Sequence, residues 1–210
     1  MTDRRNHWEA AYQSKDSETQ SWFQPRPVES LALIEMAGCS PLTRIIDVGG
    51  GTSLLVDELI TQGCRNLSVL DISASALEES KRRLGMQAEQ VLWIEADIAE
   101  SAIDGNFDIW HDRAVFHFLT ETTDKRAYVH TLKKSLKFGG HAIIATFAED
   151  GPTRCSGLPV VQYHPSSLLA ELGEGFTLVE TRKELHHTPA GRDQSFVYCL
   201  FRHTDAARQA

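Results

Sequence analysis

The run Ile45-Ile46-Asp47-Val48-Gly49-Gly50-Gly51-Thr52-Ser53 constrains this chain more than any other stretch. An apolar, strand-like segment ends there in an acid and three glycines and then gives way to a helical pattern. Glycine suits such a turn because, without a Cβ, it bends sharply and lets the backbone lie against a ribose or a phosphate. Leu54, Leu55, Val56, Leu59 and Ile60 follow at helical spacing, and Gly63 closes the helix. A second strand over residues 67–70 ends in Asp71, twenty residues beyond Gly51. Folds of this kind place a carboxylate there to accept hydrogen bonds from ribose hydroxyls. Strand, glycine turn, helix, strand and acid together describe a nucleoside site.

A dinucleotide loop needs a third glycine for close helix packing around a pyrophosphate, and here that place is Leu54. NAD and FAD are therefore disfavoured. Asp47 before the glycines and Thr52-Ser53 after them resemble motif I of the class I S-adenosylmethionine-dependent methyltransferases. The resemblance implies S-adenosyl-L-methionine as cofactor, with Asp47, Gly49 and Gly51 around its methionine part. It further implies Asp71 on the ribose, Ile72 on one adenine face, and Asp97 with Ile98 at the adenine amino group. For Asp97 a plain helix N-cap is an equal alternative.

Strand and helix patterns alternate onward: a helix over 73–84 ending at Gly85, a strand over 91–94, a strand over 107–110 and a helix over 123–136. A Gly139-Gly140 turn then leads into a strand over 141–147. Two long alternating segments, 176–186 and 195–201, flank a turn-rich stretch and read as a terminal hairpin. The expected fold is α/β, a Rossmann-like doubly wound seven-stranded sheet, mostly parallel with a C-terminal antiparallel β-hairpin. One domain over 1–210 is expected: 1–40 a helical cap and lid, 41–147 the cofactor-binding core, 148–210 a lid loop, helix and hairpin. With 41% hydrophobic residues in 210, one substantial core suffices.

The formal charge of −8 argues against general attraction to nucleic acid or an anionic membrane. The four cysteines form no C-x-x-C pair, so scattered thiols in a reduced, cytoplasmic protein are expected, as a monomer or homodimer. No metal is expected: His186 and His187 are strand neighbours pointing to opposite faces, and His111 and His117 are six residues apart.

Chemistry is expected in the segment after the fourth strand, Trp110-His111-Asp112-Arg113-Ala114-Val115-Phe116-His117-Phe118-Leu119. It resembles the W-D-R-G-A-L segment of thiopurine-type thiol methyltransferases and, more loosely, the L-D-K-G-T segment of the citrate synthase lysine methyltransferase group. Ala114 stands where both comparison segments carry glycine. The resemblance implies His111 near the cofactor, with Asp112 neutralising a cation, Arg113 holding an anionic group and His117 taking a proton. An ordinary Asp112–Arg113 ion pair and a packed core histidine are the alternatives. His7-Trp8-Glu9-Ala10-Ala11-Tyr12 and Ser21-Trp22-Phe23-Gln24-Pro25 resemble the aromatic N-terminal segments of both groups. Trp8 and Tyr12 are thus expected over the cofactor, Trp22 and Phe23 with Arg113 at the substrate, unless the first pair only caps the sheet. The implied activity is methyl transfer to the sulfur or nitrogen of a small molecule. A protein lysine is the rival acceptor, with an NAD-dependent oxidoreductase or a non-catalytic cofactor-binding protein behind it.

Overall fold

The apolar runs of the inner strands hold residues for both faces of the sheet, and the computed structural model shows where each goes. It describes residues 2–14 and 16–204, with only the backbone of residues 2 and 3. Strands β1 (Arg44–Val48), β2 (Asn66–Asp71), β3 (Val91–Glu95), β4 (Phe107–Arg113) and β5 (Leu136–Phe147) are parallel. The last two long strands, β8 (Phe176–His187) and β9 (Asp193–His203), form a hairpin whose β9 inserts antiparallel beside β5. The order is β3-β2-β1-β4-β5-β9-β8, the seven-stranded, mostly parallel sheet expected from the alternation.

Successive residues split between two cores. Ile46, Trp110, Ile144 and Val197 pack on one face, against Tyr128 and Leu132 of α5 (Thr122–Ser135) and Leu168 and Leu172 of α6 (Pro165–Leu172). Their neighbours Ile45, Ile109, Ile143 and Phe196 face the other side. There they meet α2 (Val28–Met36), α3 (Leu55–Thr61) and α4 (Ala74–Leu84). Each such side chain contributes roughly 1.5–3 kcal/mol by leaving water. Strands buried on both faces require continuous apolar runs, which is why their periodicity was faint in the sequence.

Three expectations change. Strand β4 continues through Arg113, so His111, Asp112 and Arg113 lie in the sheet and not in a loop after it. Pairing of β4 with β5 jumps from Phe107↔Leu136 to Ile109↔His141, so Gly139-Gly140 is a bulge within β5, with Gly139 at φ +78°, and no separate turn. The thiols are not all scattered: Cys39 and Cys64 Sγ atoms lie 3.3 Å apart, both free. Among the described residues no helix is long and apolar enough to cross a membrane.

Candidate active site

A groove of about 920 Å³ opens at the carboxyl ends of β1 to β4, where the strand order reverses between β1 and β4. Its first half follows from the loops after β1, β2 and β3. Gly49, at φ +70°, turns the chain under Val115, and a Cβ there would stand 2.0 Å from Val115 Cγ2. At Gly51 (φ +42°) a Cβ would fall 2.3 Å from Tyr12 Oη and 3.0 Å from Asp71 Oδ2. The third glycine, Gly50, leaves room for the Asp47 carboxylate and Val69.

Asp71 lies at the end of β2, 4% exposed and lining the groove. Burial pushes its carboxyl up to about 7, against backbone N–H groups of Ser73, Gly51 and Ile72 that pull it down. Ile72 and Ile98 line the groove beside it. Asp97 lines it too, but its oxygens accept from Arg4 at 2.9 and 3.1 Å and from the Ala99 N–H at 2.9 Å. Asp97 caps the turn after β3, where no helix follows, and faces the groove.

Helix α1 (Thr2–Gln13) forms the roof. Arg4 also binds Asp124, Arg5 pairs with Glu95 and donates to the Ile72 carbonyl, and Glu9 accepts from the hydroxyls of Ser73 and Ser75. These bonds hold the Glu9 carboxyl below the usual range although burial alone would raise it. Trp8 and Tyr12 hang from this helix into the groove and meet Trp22 edge-on at 5.9 and 5.7 Å, while Trp8 meets Phe118 at 4.8 Å. They do more than cap the sheet.

A smaller recess of about 550 Å³ adjoins the groove and shares Tyr12, Trp22, Gly49 and Arg113 with it. Phe23, Asp47 and His111 line this recess. His111 Nδ1 lies 2.7 Å from Asp47 Oδ1 and its Nε2 2.8 Å from Ser30 Oγ. A carboxylate only accepts, so Nδ1 carries the proton toward Asp47. His111 thereby ties β4, β1 and α2 together beneath the glycine turn.

The other half of the groove is walled by Trp22, Phe147, Phe196, Cys155 and Leu158. The last two come from a small hairpin, β6 (Arg154–Cys155) and β7 (Leu158–Pro159), so the segment expected as an open lid loop is folded. Arg113 stacks over Phe196 at 4.4 Å, donates from Nε to Tyr198 Oη at 2.7 Å and from Nη1 to the Trp22 carbonyl at 3.1 Å. Its Nη2 lies 3.6 Å from Glu184, which also accepts from Tyr198 and Gln24, each at 2.7 Å. Arg113 is a tether of the Trp22 segment as well as a wall.

Two residues assigned chemistry from sequence lie outside both spaces. Asp112 is fully buried and accepts from Tyr128 Oη at 2.6 Å and from the backbone N–H groups of Val115 and Phe116. Burial raises it to about 6, against these bonds. It fixes the turn after β4; its partner is Tyr128, not Arg113. His117 is fully buried among Phe118, Phe147 and Phe196, its Nδ1 accepting from the Phe147 N–H at 3.2 Å. Burial, and then the nearby Arg113, lower it to about 3, so it is a neutral core histidine. Ala114, at φ +68°, takes the left-handed conformation that glycine adopts freely, which accounts for a glycine there in the comparison segments. The sequence reading assigned no role to Arg4, Glu9, Phe147, Glu184 or Phe196, and the partners of Arg4, Glu9 and Glu184 lie far away in sequence.

Residues 46–142 match the family described as a methyltransferase domain. The matched segment runs from β1 into β5 and includes the loops after β1, β2 and β3 that form the first half of the groove. Nodulation protein S of Rhizobium tropici is 23% identical over 124 residues, 59% of this chain and 51% of that protein. The chain thus spans about half the length of that relative. Human EEF1A lysine methyltransferase 2 is 23% identical over 218 residues, covering 93% of this chain and 84% of that one. Among solved structures, the Burkholderia thailandensis 1,6-didemethyltoxoflavin N1-methyltransferase, with its substrate and S-adenosylhomocysteine bound, superposes with a TM-score of 0.76. That match has 19% identity and covers 96% of this chain and 88% of the other. The class I methyltransferase fold explains the insertion of β9 and the groove at the strand ends alike.

Proposed function

We propose that this chain transfers the methyl group of S-adenosyl-L-methionine to a small-molecule acceptor. The observation that carries the reading is the buried Asp71 carboxylate at the end of β2, set beside the Gly49–Gly51 turn and under the aromatic roof of α1. This set fits a phosphate-free nucleoside: an acid for a diol, Ile72 and Ile98 for an adenine, Asp97 for its amino group, and aromatic faces for a sulfonium. Gly49, Asp47, His111 and Tyr12 line the recess for the methionine part, with Gly51 beneath Tyr12 and Trp8 in the adjoining groove. Methyl transfer is a displacement, so holding the reactants in line and excluding water supply most of the rate. Trp22 and Arg113 wall the acceptor space, whereas Phe23, expected at the substrate, lines the neighbouring recess. Asp112 fixes the turn after β4 and His117 packs in the core against β5, so neither lines the acceptor space.

Calorimetry with S-adenosylmethionine, S-adenosylhomocysteine and NAD tests the reading; saturable binding of the first two and none of the third is expected. Binding of NAD alone would overturn it. A protein lysine as acceptor draws support from the human relative's 93% coverage, but the cationic Arg113 at the acceptor end repels an ammonium. The four free thiols support a reducing, cytoplasmic setting, in which a monomer or homodimer needs neither membrane nor nucleic acid.

A further inference from the structure

Helices α2 and α3 end in the same way, and each end delivers a cysteine. Gly38 (φ +81°) follows α2 and Gly63 (φ +87°) follows α3, both in the left-handed conformation. The N–H groups of these glycines donate to the Glu35 and Ile60 carbonyls, each at 2.9 Å. The next N–H reaches one residue further back, from Cys39 to the Ile34 carbonyl at 3.3 Å and from Cys64 to the Leu59 carbonyl at 3.0 Å. This paired pattern is the glycine-terminated helix end that folds the residue after the glycine back toward the last turn. The repeated Gly-Cys pair thus fixes both cysteines by backbone geometry, and their Sγ atoms meet at 3.3 Å.

The meeting place lies away from the groove. Cys39 precedes β1 and Cys64 precedes β2, so the thiols sit at the amino ends of the strands, where the Arg65 N–H also donates to the Pro41 carbonyl at 3.1 Å. Cys64 is buried and Cys39 partly exposed, and both line a surface cleft of about 950 Å³ with Arg26, Glu35 and Gln62. A small disulfide reaches Cys39 from this cleft. Burial, and then the neighbouring thiol, push Cys39 up to about 12, so it rests as a thiol at neutral pH and exchanges slowly. The other two cysteines are placed differently: Cys199 is enclosed in β9, and Cys155 lies beside the hydroxyls of Ser21 and Ser156.

We infer that Cys39 and Cys64 are an oxidisable dithiol, which a low-molecular-mass disulfide such as glutathione disulfide converts into an intramolecular brace. The Cys39 sulfur, as thiolate, attacks one sulfur of the reagent and releases one glutathione. The Cys64 sulfur then gives up its proton, attacks Cys39 Sγ and releases the second. Two thiols become one S–S bond, and the two electrons and two protons leave on two glutathione molecules. The loop so closed holds β1, the Gly49–Gly51 turn and α3, the unit that carries the first half of the groove. Oxidation therefore restricts the unfolded chain of this unit and leaves the groove open at the other end of the strands.

The test equilibrates the full folded chain in glutathione buffers of graded ratio, traps free thiols with N-ethylmaleimide, and reads intact mass and a peptide map. Two of the four thiols should disappear together into one peptide that joins Cys39 to Cys64. At fixed glutathione disulfide, the cross-linked fraction should fall with the square of the glutathione concentration at low occupancy, the signature of an intramolecular couple. Tm should rise by about 5–10 °C on oxidation. Cys39→Ser should carry at most one glutathione and show no such rise; Cys64→Ala serves if the first variant is unstable. A mixed disulfide as the end product, a cross-link that forms only in denaturant, or a fall in Tm on oxidation would overturn the inference.

Discussion

The two halves of the groove are built on different terms. The cofactor half rests on backbone: glycines with positive φ, amide groups aimed at a carboxylate, and strand ends in one parallel sheet. The acceptor half rests on side chains drawn from β4, β5, β9 and the β6–β7 hairpin, joined by Arg113 and Glu184. A backbone site has little freedom to change, whereas a side-chain site can be rebuilt residue by residue. On the proposed reading, the first half defines the chemistry and the second the acceptor.

The largest effect should come from placing a side chain in the first half. Gly51→Val sets a β-branched residue at φ +42°, its Cβ 2.3 Å from Tyr12 Oη. Cofactor affinity should fall roughly a hundredfold or more, with helical content by circular dichroism retained. An unchanged calorimetric affinity would show that the roof does not depend on this glycine.

Asp71 comes next. Loss of its hydrogen bonds in Asp71→Ala should cost about 1.5–3 kcal/mol each, at least about tenfold in affinity. In the wild type the ionised carboxylate is the form that accepts from a ribose, and it titrates at about 7. Affinity should therefore rise about tenfold from about pH 6 to 8. Stability runs the other way. The folded value lies above the unfolded 3.8, so the native state binds more protons between the two and stability falls as pH rises from about 4 to 7. Asp71→Asn should remove that fall, up to on the order of 4 kcal/mol, and leave the smaller decline from Asp112; identical melting profiles against pH would refute this.

Substitution in the second half should separate acceptor from cofactor. Arg113→Ala frees the Trp22 carbonyl and should raise the acceptor KM by about tenfold while cofactor affinity stays within about threefold. Arg113→Lys should restore little, because one ammonium cannot replace donors aimed at Tyr198 and Trp22 separately. Equal loss of cofactor binding would erase the distinction between the halves. The smallest effect joins them: Ala114→Gly relieves a left-handed alanine and should add about 1 kcal/mol, a rise of about 2–4 °C in Tm.

The backbone half was the legible one. Motif I, Asp71 and the strand alternation are local signals, and the glycine turn, the acid at the end of β2 and the seven-stranded order follow from them. The side-chain half depends on partners far apart in sequence. That Asp112 would serve Tyr128, or that Glu184 would sit behind Arg113, has no local signature. Asp112 and His117 took their expected roles from the resemblance; β4, read as ending at Trp110, continues three residues further and draws Asp112 into the sheet, while His117 lies beyond β4 but is buried. The Cys39 and Cys64 thiols show the same limit, since they meet only where α2 ends beside the approach to β2.

The long spans between roof and walls set the order in which this site can come into being. Arg4 waits for Asp97 and Asp124, 93 and 120 residues later, and Phe196 arrives only with β9, the last of the described strands. Contacts across such spans carry a loop-closure cost that neighbouring elements do not, and they form late. Until β9 enters, β5 has a bare edge that is open to pairing with another chain. The groove is thus complete only late in folding, and a ligand that occupies it binds a chain whose α1 and β9 are both in place.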